Sequence, residues 1–217
     1  MAHHIQPDLQ YEIPFWQAGL LQICGIDEAG RGALAGAVFA AAVILPADVQ
    51  VLQALPGVRD SKQMTPAQRE TWESKIKDTS LAWGVGNATN QEIDAFGILP
   101  ATRLAMQRAV EALQITPNHL LIDAVILRQV DIPQSALIKG DVHCLSIACA
   151  SVLAKTARDR EMTGLDALYP LYGFARHKGY GTLQHRNALR HFGACTLHRM
   201  SYEPVRLSLK KNQSCPD

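Results

Sequence analysis

Short apolar runs and amphipathic stretches succeed one another along this chain in a rhythm that predicts strands and helices in alternation. The run at 21–27, LQICGID, predicts a short buried strand, and the Val- and Ile-rich run at 37–45, stopped by Pro46, predicts a second. Thr65-Pro66-Ala67-Gln68 places a capping Thr, a first-turn Pro and a Gln three positions on, which predicts a helix to about Lys77. The stretch 81–89 predicts another strand. A helix opened by Pro100 gathers Leu104, Ala109, Val110 and Leu113 on one face. Residues 119–123 and 136–139 predict two further short strands, and 146–162 and 182–191 two helices, the first apolar at its start and charged at its end. Strands first, then strands alternating with helices, predict an α/β domain with a central mixed β-sheet. Residues after about Pro170 are expected to form a small helical appendage.

Composition narrows the class. Apolar residues make up 47% and charged residues 19%, a globular balance that excludes wholesale disorder. The longest near-continuous apolar run, 33–45, is broken by Gly36, and a membrane-spanning helix needs about 20 such residues, so no membrane association is expected. The N-terminus has no basic stretch leading into an apolar core and reads as no secretory signal. Five cysteines, odd in number and without a CxxC pair, point to a reduced, cytoplasmic setting. Net charge is only +1, but it is unevenly spread: residues 1–138 hold 9 basic and 14 acidic residues, residues 139–217 hold 12 and 6. An acidic part followed by a basic one suits a protein that binds cations with one and an anion with the other, although solvated surface charge can fall this way by itself.

Two apolar segments run straight into a carboxylate, LQICGID at Asp27 and HLLID at Asp123, and a third acid, Asp141, follows ALIKG. Open α/β sheets place their sites just beyond strand ends, and carboxylates brought together there repel unless cations lie between them. Hard oxygen ligands suit Mg²⁺ or Mn²⁺. Glu28 would supply a fourth acid, but in a continuing strand it points to the opposite face, so this reading expects a bend. Four clustered acids favour phosphoryl transfer assisted by two metals over zinc hydrolysis. Each acid alone is as readily a turn residue or a helix cap, so only the pattern carries weight. Gly30-Arg31-Gly32 and the basic, glycine-rich Arg176–Thr182 stretch suit a sugar–phosphate surface, and ordinary turns and loops would also explain them.

With GIDEAGRG (25–32), DSK (60–62), LLID (120–123), KGD (139–141), SIACASVLAKTARDREM (146–162), YPLYGF (169–174), HKGYGT (177–182) and HRMSYEPV (198–205) in this order, the chain resembles bacterial ribonuclease HII over about residues 21–206. The resemblance implies an RNase H-like fold with a C-terminal helical portion; residues 1–20, an N-terminal extension, and 207–217, expected from its polar end to be a disordered tail, lie outside it. It implies a metal-dependent endonuclease that cuts the RNA strand of RNA–DNA hybrids and cuts 5′ of single ribonucleotides in duplex DNA, leaving 3′-hydroxyl and 5′-phosphate ends. Two divalent cations, Mn²⁺ or Mg²⁺, would bind Asp27, Glu28, Asp123 and Asp141. Gly30, Arg31, Gly32 and the junction-reading Tyr180 would contact substrate, with Lys62, Arg176, Lys178 and Arg199 as phosphate contacts. A monomer is expected, with any replication partner of the tail unassigned. Ala124 stands where the family often has glycine, and Val142, His143 and Cys144 depart from its usual small residue after KGD. A non-catalytic hybrid-binding module of the same fold is the alternative; retention of all four acids speaks for the nuclease.

Overall fold

The structure is a computed structural model that describes residues 6–212; the expectations for residues 1–5 and 213–217 lie outside the described residues. In chain order the elements are α1 (Ile13–Gln17), β1 (Ile23–Ala29), β2 (Val38–Ile44), α2 (Val51–Ala54), a 3-10 turn (Ser61–Gln63), α3 (Pro66–Thr79), β3 (Ala82–Ala88), α4 (Asn90–Phe96), α5 (Ile98–Glu111), β4 (His119–Asp123), β5 (Gln134–Leu137), α6 (Gly140–His143), α7 (Leu145–Asp166), α8 (Phe174–His177), α9 (Leu183–Phe192) and α10 (Glu203–Asn212). The five strands form one mixed sheet in the order β3-β2-β1-β4-β5. β1 pairs antiparallel with β2 and parallel with β4, and β4 pairs parallel with β5.

Helices cover both faces. Ala29, Ala41 and Val43 pack against Leu145, Ala148, Cys149 and Val152 of α7, while Ile26, Val38, Ala40 and Ala42 pack with Ala101, Ala105 and Ala109 of α5. All seven residues of β2 are therefore buried, as a strand covered on both sides must be. Gly25 lets α7 lie directly on β1, since a Cβ there would stand 2.2 Å from the Ser146 carbonyl carbon. Beyond α7, Tyr172, Phe174 and Ala188 pack on Ala35 and Met162, and Leu189 and Val205 on Leu34. The C-terminal helices thus rest on the segment that follows β1.

Several boundaries differ from the sequence-based expectations for local reasons. β1 runs on to Ala29 because its ladder with β2 continues through Glu28↔Ala40 and Ala29↔Phe39, so the expected bend at Glu28 is absent. β5 ends at Leu137, before Lys139 turns left-handed (φ 57°). α4 went unpredicted although Thr89 and Glu92 form a full capping box. Residues 207–212, expected in a disordered tail, belong to helix α10.

The N-terminal stretch is built into the body rather than appended to it. Leu9 is buried in the α7 cluster. The Asp8 N–H donates to the His143 carbonyl (3.2 Å) and the Leu145 N–H to the Asp8 carbonyl (2.9 Å). The fully buried Glu12 carboxylate accepts from the Ser146 N–H (2.9 Å) and the Cys144 thiol (3.2 Å), closing the exposed start of α7. Burial holds this carboxyl above the ordinary glutamate range.

Candidate active site

Parallel pairing aligns Ile26 with Ile122, so Asp27 and Asp123 fall side by side where β4 stops. β1 overruns that point. Glu28, although on the opposite face of the strand, lines the same cleft of about 630 Å³ as Asp27 and Asp123 because no strand covers the edge beyond β4. Asp141, in the first turn of α6, joins them through Lys62, whose ammonium lies 3.2 Å from its Oδ2 and on the same cleft. Gly140 ties the last two acids together, its N–H donating to Asp123 Oδ1 at 2.8 Å. The 3-10 turn that carries Lys62 is pinned by a 2.8 Å hydrogen bond between the hydroxyls of Ser61 and Ser151 of α7.

The electrostatics of this cluster are relieved only in part. Asp27 is 3% exposed; burial, then the charges of Glu28 and Asp123, push its carboxyl well above the ordinary range. Burial also raises Glu28, against the pull of Arg31 at 3.2 Å, and raises Asp123, against the Gly140 N–H. For Lys62 burial works against the charge, but Asp141 and Asp60 outweigh it and the amine is raised. Among the described residues no three His, Cys, Asp or Glu side chains already form an ion-binding group. The donor set nevertheless fits hard cations. Asp27 has no ion-pair partner among the described residues, and Glu28 Oε2 is buried without any hydrogen-bond partner.

The opposite wall is basic and aromatic. Lys155, Arg176 and Lys178 line it with Tyr180. The half-buried Tyr180 ring has Lys155 Nζ 5.3 Å and Arg158 Cζ 5.1 Å from its centroid. Arg158 is fully buried and donates to the carbonyls of Ala37 (3.1 Å) and Ala35 (3.2 Å), leaving Nη1 without a partner. Lys178 has a left-handed backbone (φ 51°), and its ammonium donates to Thr163 Oγ1 at 2.7 Å and to the Ala175 carbonyl. Arg176 is exposed, and its guanidinium makes no hydrogen bond or ion pair among the described residues.

One sequence-based assignment changes here. Arg199 is fully buried: its guanidinium donates to the carbonyls of Arg31 (2.8 Å), Gly36 (3.0 Å) and Ala37 (3.2 Å), so it braces the loop after β1 and reaches no phosphate. Gly30 lines the cleft and is required by packing as well. Its φ is +98° and a Cβ would stand 2.0 Å from Arg158 Nε, whereas around Gly32 nothing lies within 4 Å. Sequence reasoning missed Lys155, Arg158 and Ser61. Lys155 sits four residues before Asp159 and pairs with it at 2.6 Å, so it reads as an ordinary helical ion pair.

Ala124, directly after Asp123, has φ 53°, which explains the family's glycine there. Ala124→Gly should relieve this strain, partly offset by the looser unfolded chain, for a net gain of about 0.5 kcal/mol, or about 1–2 °C in Tm. Thermal melts check it, and a lower Tm would contradict it.

A family model described as Ribonuclease HII matches residues 24–205, a span that contains every acid of the cleft together with Lys155, Arg176 and Tyr180. The chain belongs to the ribonuclease HII family. It is 50% identical to ribonuclease HII of Desulfitobacterium hafniense (strain DSM 10664 / DCB-2) over 208 residues, covering 96% of this chain and 78% of that one. Against the ribonuclease HII of Geobacillus thermodenitrificans (strain NG80-2) the identity is 51% over 201 residues, 93% of this chain and 76% of the relative. Among solved structures it is similar to the ribonuclease H2 of Pyrococcus horikoshii OT3 (TM-score 0.76, 25% identity, 90% of this chain and 100% of that one). It is also similar to the ribonuclease HII of Archaeoglobus fulgidus, solved as a complex with PCNA (TM-score 0.70, 25% identity, 84% and 96%). Ribonuclease HII enzymes are type 2 RNases H, divalent-metal-dependent endoribonucleases that act on RNA–DNA hybrids, and this chain has their RNase H-like fold. No helix among the described residues is long and apolar enough to cross a membrane.

Proposed function

We propose that Asp27, Glu28, Asp123 and Asp141 hold two divalent cations, Mn²⁺ or Mg²⁺, and that the cleft cuts the RNA strand of hybrids and duplex DNA on the 5′ side of single ribonucleotides. The products would be 3′-hydroxyl and 5′-phosphate ends. The observation that carries this reading is a cleft with three upshifted acids and an orphaned Glu28 oxygen on one side and the basic side chains of Lys155, Arg176 and Lys178 on the other. Cations held there supply the charge that lets water attack a phosphodiester and the 3′ oxygen leave.

The chain's own residues do the rest. Arg31 and Lys62 have their charged ends on Glu28 and Asp141, and exchange of those carboxylates to cations frees both side chains for substrate phosphates. Gly32 offers a backbone that a sugar can approach, and Tyr180 packs on the neighbouring deoxyribose, where a 2′-hydroxyl would clash. Four free cysteines among the described residues support a reducing, cytoplasmic setting. Cleavage mapping on a duplex with one embedded ribonucleotide, in Mg²⁺, Mn²⁺ or EDTA, tests the reading. A cut elsewhere than 5′ of the ribonucleotide, or cleavage in EDTA, would refute it.

Duplex affinity should be electrostatic and shared by all duplexes. Neutralising the exposed Arg176 should weaken binding uniformly and flatten the salt dependence by about one phosphate contact, whereas replacing the buried Arg199 should leave the slope alone and lower stability. Titrations at several salt concentrations separate the two. An unchanged slope for the Arg176 variant would remove it from the interface.

A further inference from the structure

Three histidines that the proposed chemistry does not use lie buried behind the Tyr180 loop. His177, His185 and His198 are each at most 7% exposed, and the first two rings stack with centroids 4.4 Å apart. Their hydrogen bonds leave a single consistent proton arrangement. His185 Nδ1 lies 3.0 Å from the Tyr180 carbonyl oxygen, which only accepts, so Nδ1 carries the proton. A neutral His185 then has a bare Nε2, 3.0 Å from His198 Nε2, so His198 carries its proton on Nε2 and donates it there. His198 Nδ1 is left bare, and it accepts the Cys195 N–H at 3.0 Å. The relay therefore runs in one direction, from the Cys195 amide through both rings to the Tyr180 carbonyl.

Its surroundings keep it uncharged. Burial lowers His185 and His198 to about 4, and each faces another imidazole, His198 with Cys195 as well, rather than a carboxylate. His177 is lowered too, by burial, against its donation to the Tyr172 carbonyl (2.8 Å) and the charge of Asp166; it also accepts the Gly179 N–H. A second proton on His185 or His198 would set two N–H groups head to head.

The relay ends on Tyr180, whose backbone also forms an antiparallel bridge with Ala33. Tyr180 stands between Gly179, with φ 79°, and Gly181. Its N–H donates to the His177 carbonyl at 2.9 Å and its carbonyl also accepts the Thr182 N–H at 2.8 Å. We propose that His185 is a positioning residue for substrate reading: its Nδ1–H, oriented by His198, holds the Tyr180 peptide so that the ring faces the cleft in one orientation. The proposal rests on the reading of Tyr180 as the junction contact.

Amide replacements separate the two ring nitrogens. His185→Asn keeps a donor near Nδ1, whereas His185→Gln keeps a polar group near Nε2 and loses the bond to Tyr180. The quantity measured is the ratio of cleavage at a single embedded ribonucleotide to cleavage of a uniform hybrid, with duplex affinity measured alongside. His185→Gln should lower the ratio about tenfold, the rate equivalent of about one hydrogen bond, at unchanged affinity. His185→Asn should stay near the parent. Equal ratios in both variants, or equal losses, overturn the proposal if Tyr180→Ala lowers the ratio. A parental ratio in Tyr180→Ala instead removes the junction reading, and the proposal with it. Should His185→Gln not fold, ¹⁵N shifts of His185 in the unmodified protein decide: a protonated Nδ1 with a bare Nε2 is expected, and the opposite tautomer overturns the relay.

Discussion

Asp27→Asn is expected to abolish turnover while raising the melting temperature of the cation-free protein. Asp27 lies at the deepest point of the acid cluster, 3% exposed, with Glu28 beside it in sequence and Asp123 beside it across the sheet. Burial and those two charges raise its carboxyl well above the unfolded value. The native state thus binds this proton more tightly than the unfolded chain does. The associated stability is fully present below the unfolded pKa and is lost as pH rises through the native one. At neutral pH without cations the carboxylate is a cost, and Asn removes the charge at nearly unchanged size. Cations reverse the balance by binding only the folded parent, so added Mn²⁺ should stabilise the parent more than the variant. Turnover should fall by about a thousandfold or more, the scale of losing one preorganised electrostatic partner. Melts in EDTA and in Mn²⁺ at pH 5 and pH 8, with single-turnover cleavage, check all three statements. Near-normal cleavage in Mg²⁺ would sink the assignment of Asp27, and a lower Tm in EDTA at pH 8 would sink the electrostatic account.

Tyr180→Ala should lose most cleavage at a single embedded ribonucleotide, roughly ten- to a hundredfold, with little change in duplex affinity. Affinity comes from phosphates and their counterions, and the tyrosine carries no charge to contribute. Its ring is held at the cleft by the cations of Lys155 and Arg158 on one side and by the backbone bonds to His177 and His185 on the other. On the proposed reading, a ring so placed would test the sugar after the ribonucleotide for a 2′-hydroxyl. If the ring only anchored its loop, the variant would melt at a lower temperature and cut the junction as the parent does.

Much of this site was legible because its signals are local. Asp27 and Asp123 end apolar runs, and a strand that stops places its last side chain at the sheet's edge whatever the neighbours are. The Thr65 capping box is complete within four residues, and the helix it predicts is there. The mixed sheet follows from the order of runs, and the family motifs mark the cleft without any knowledge of distance. Even the departure at Ala124 was visible, although its left-handed backbone was not.

What required the folded chain was the choice among residues that look alike in sequence. Arg176 and Arg199 are both basic residues in or beside matched motifs; one is exposed on the cleft, the other satisfied by carbonyls of residues 31, 36 and 37. Glu28 joins Asp27 without a bend because β4 stops short of β1, a fact of pairing register between strands about a hundred residues apart. Glu12, in a stretch read as an extension, caps a helix that begins more than a hundred residues later. The histidine relay depends on ring nitrogens of α9 and of the loop before α10 meeting each other and the Tyr180 carbonyl. Backbone propensity and caps are decided over a few residues, so the chain announces them. The burial of a long cation, the partner of a buried acid and the tautomer of a histidine are decided by atoms that only the packed sheet and its helices bring within 3 Å.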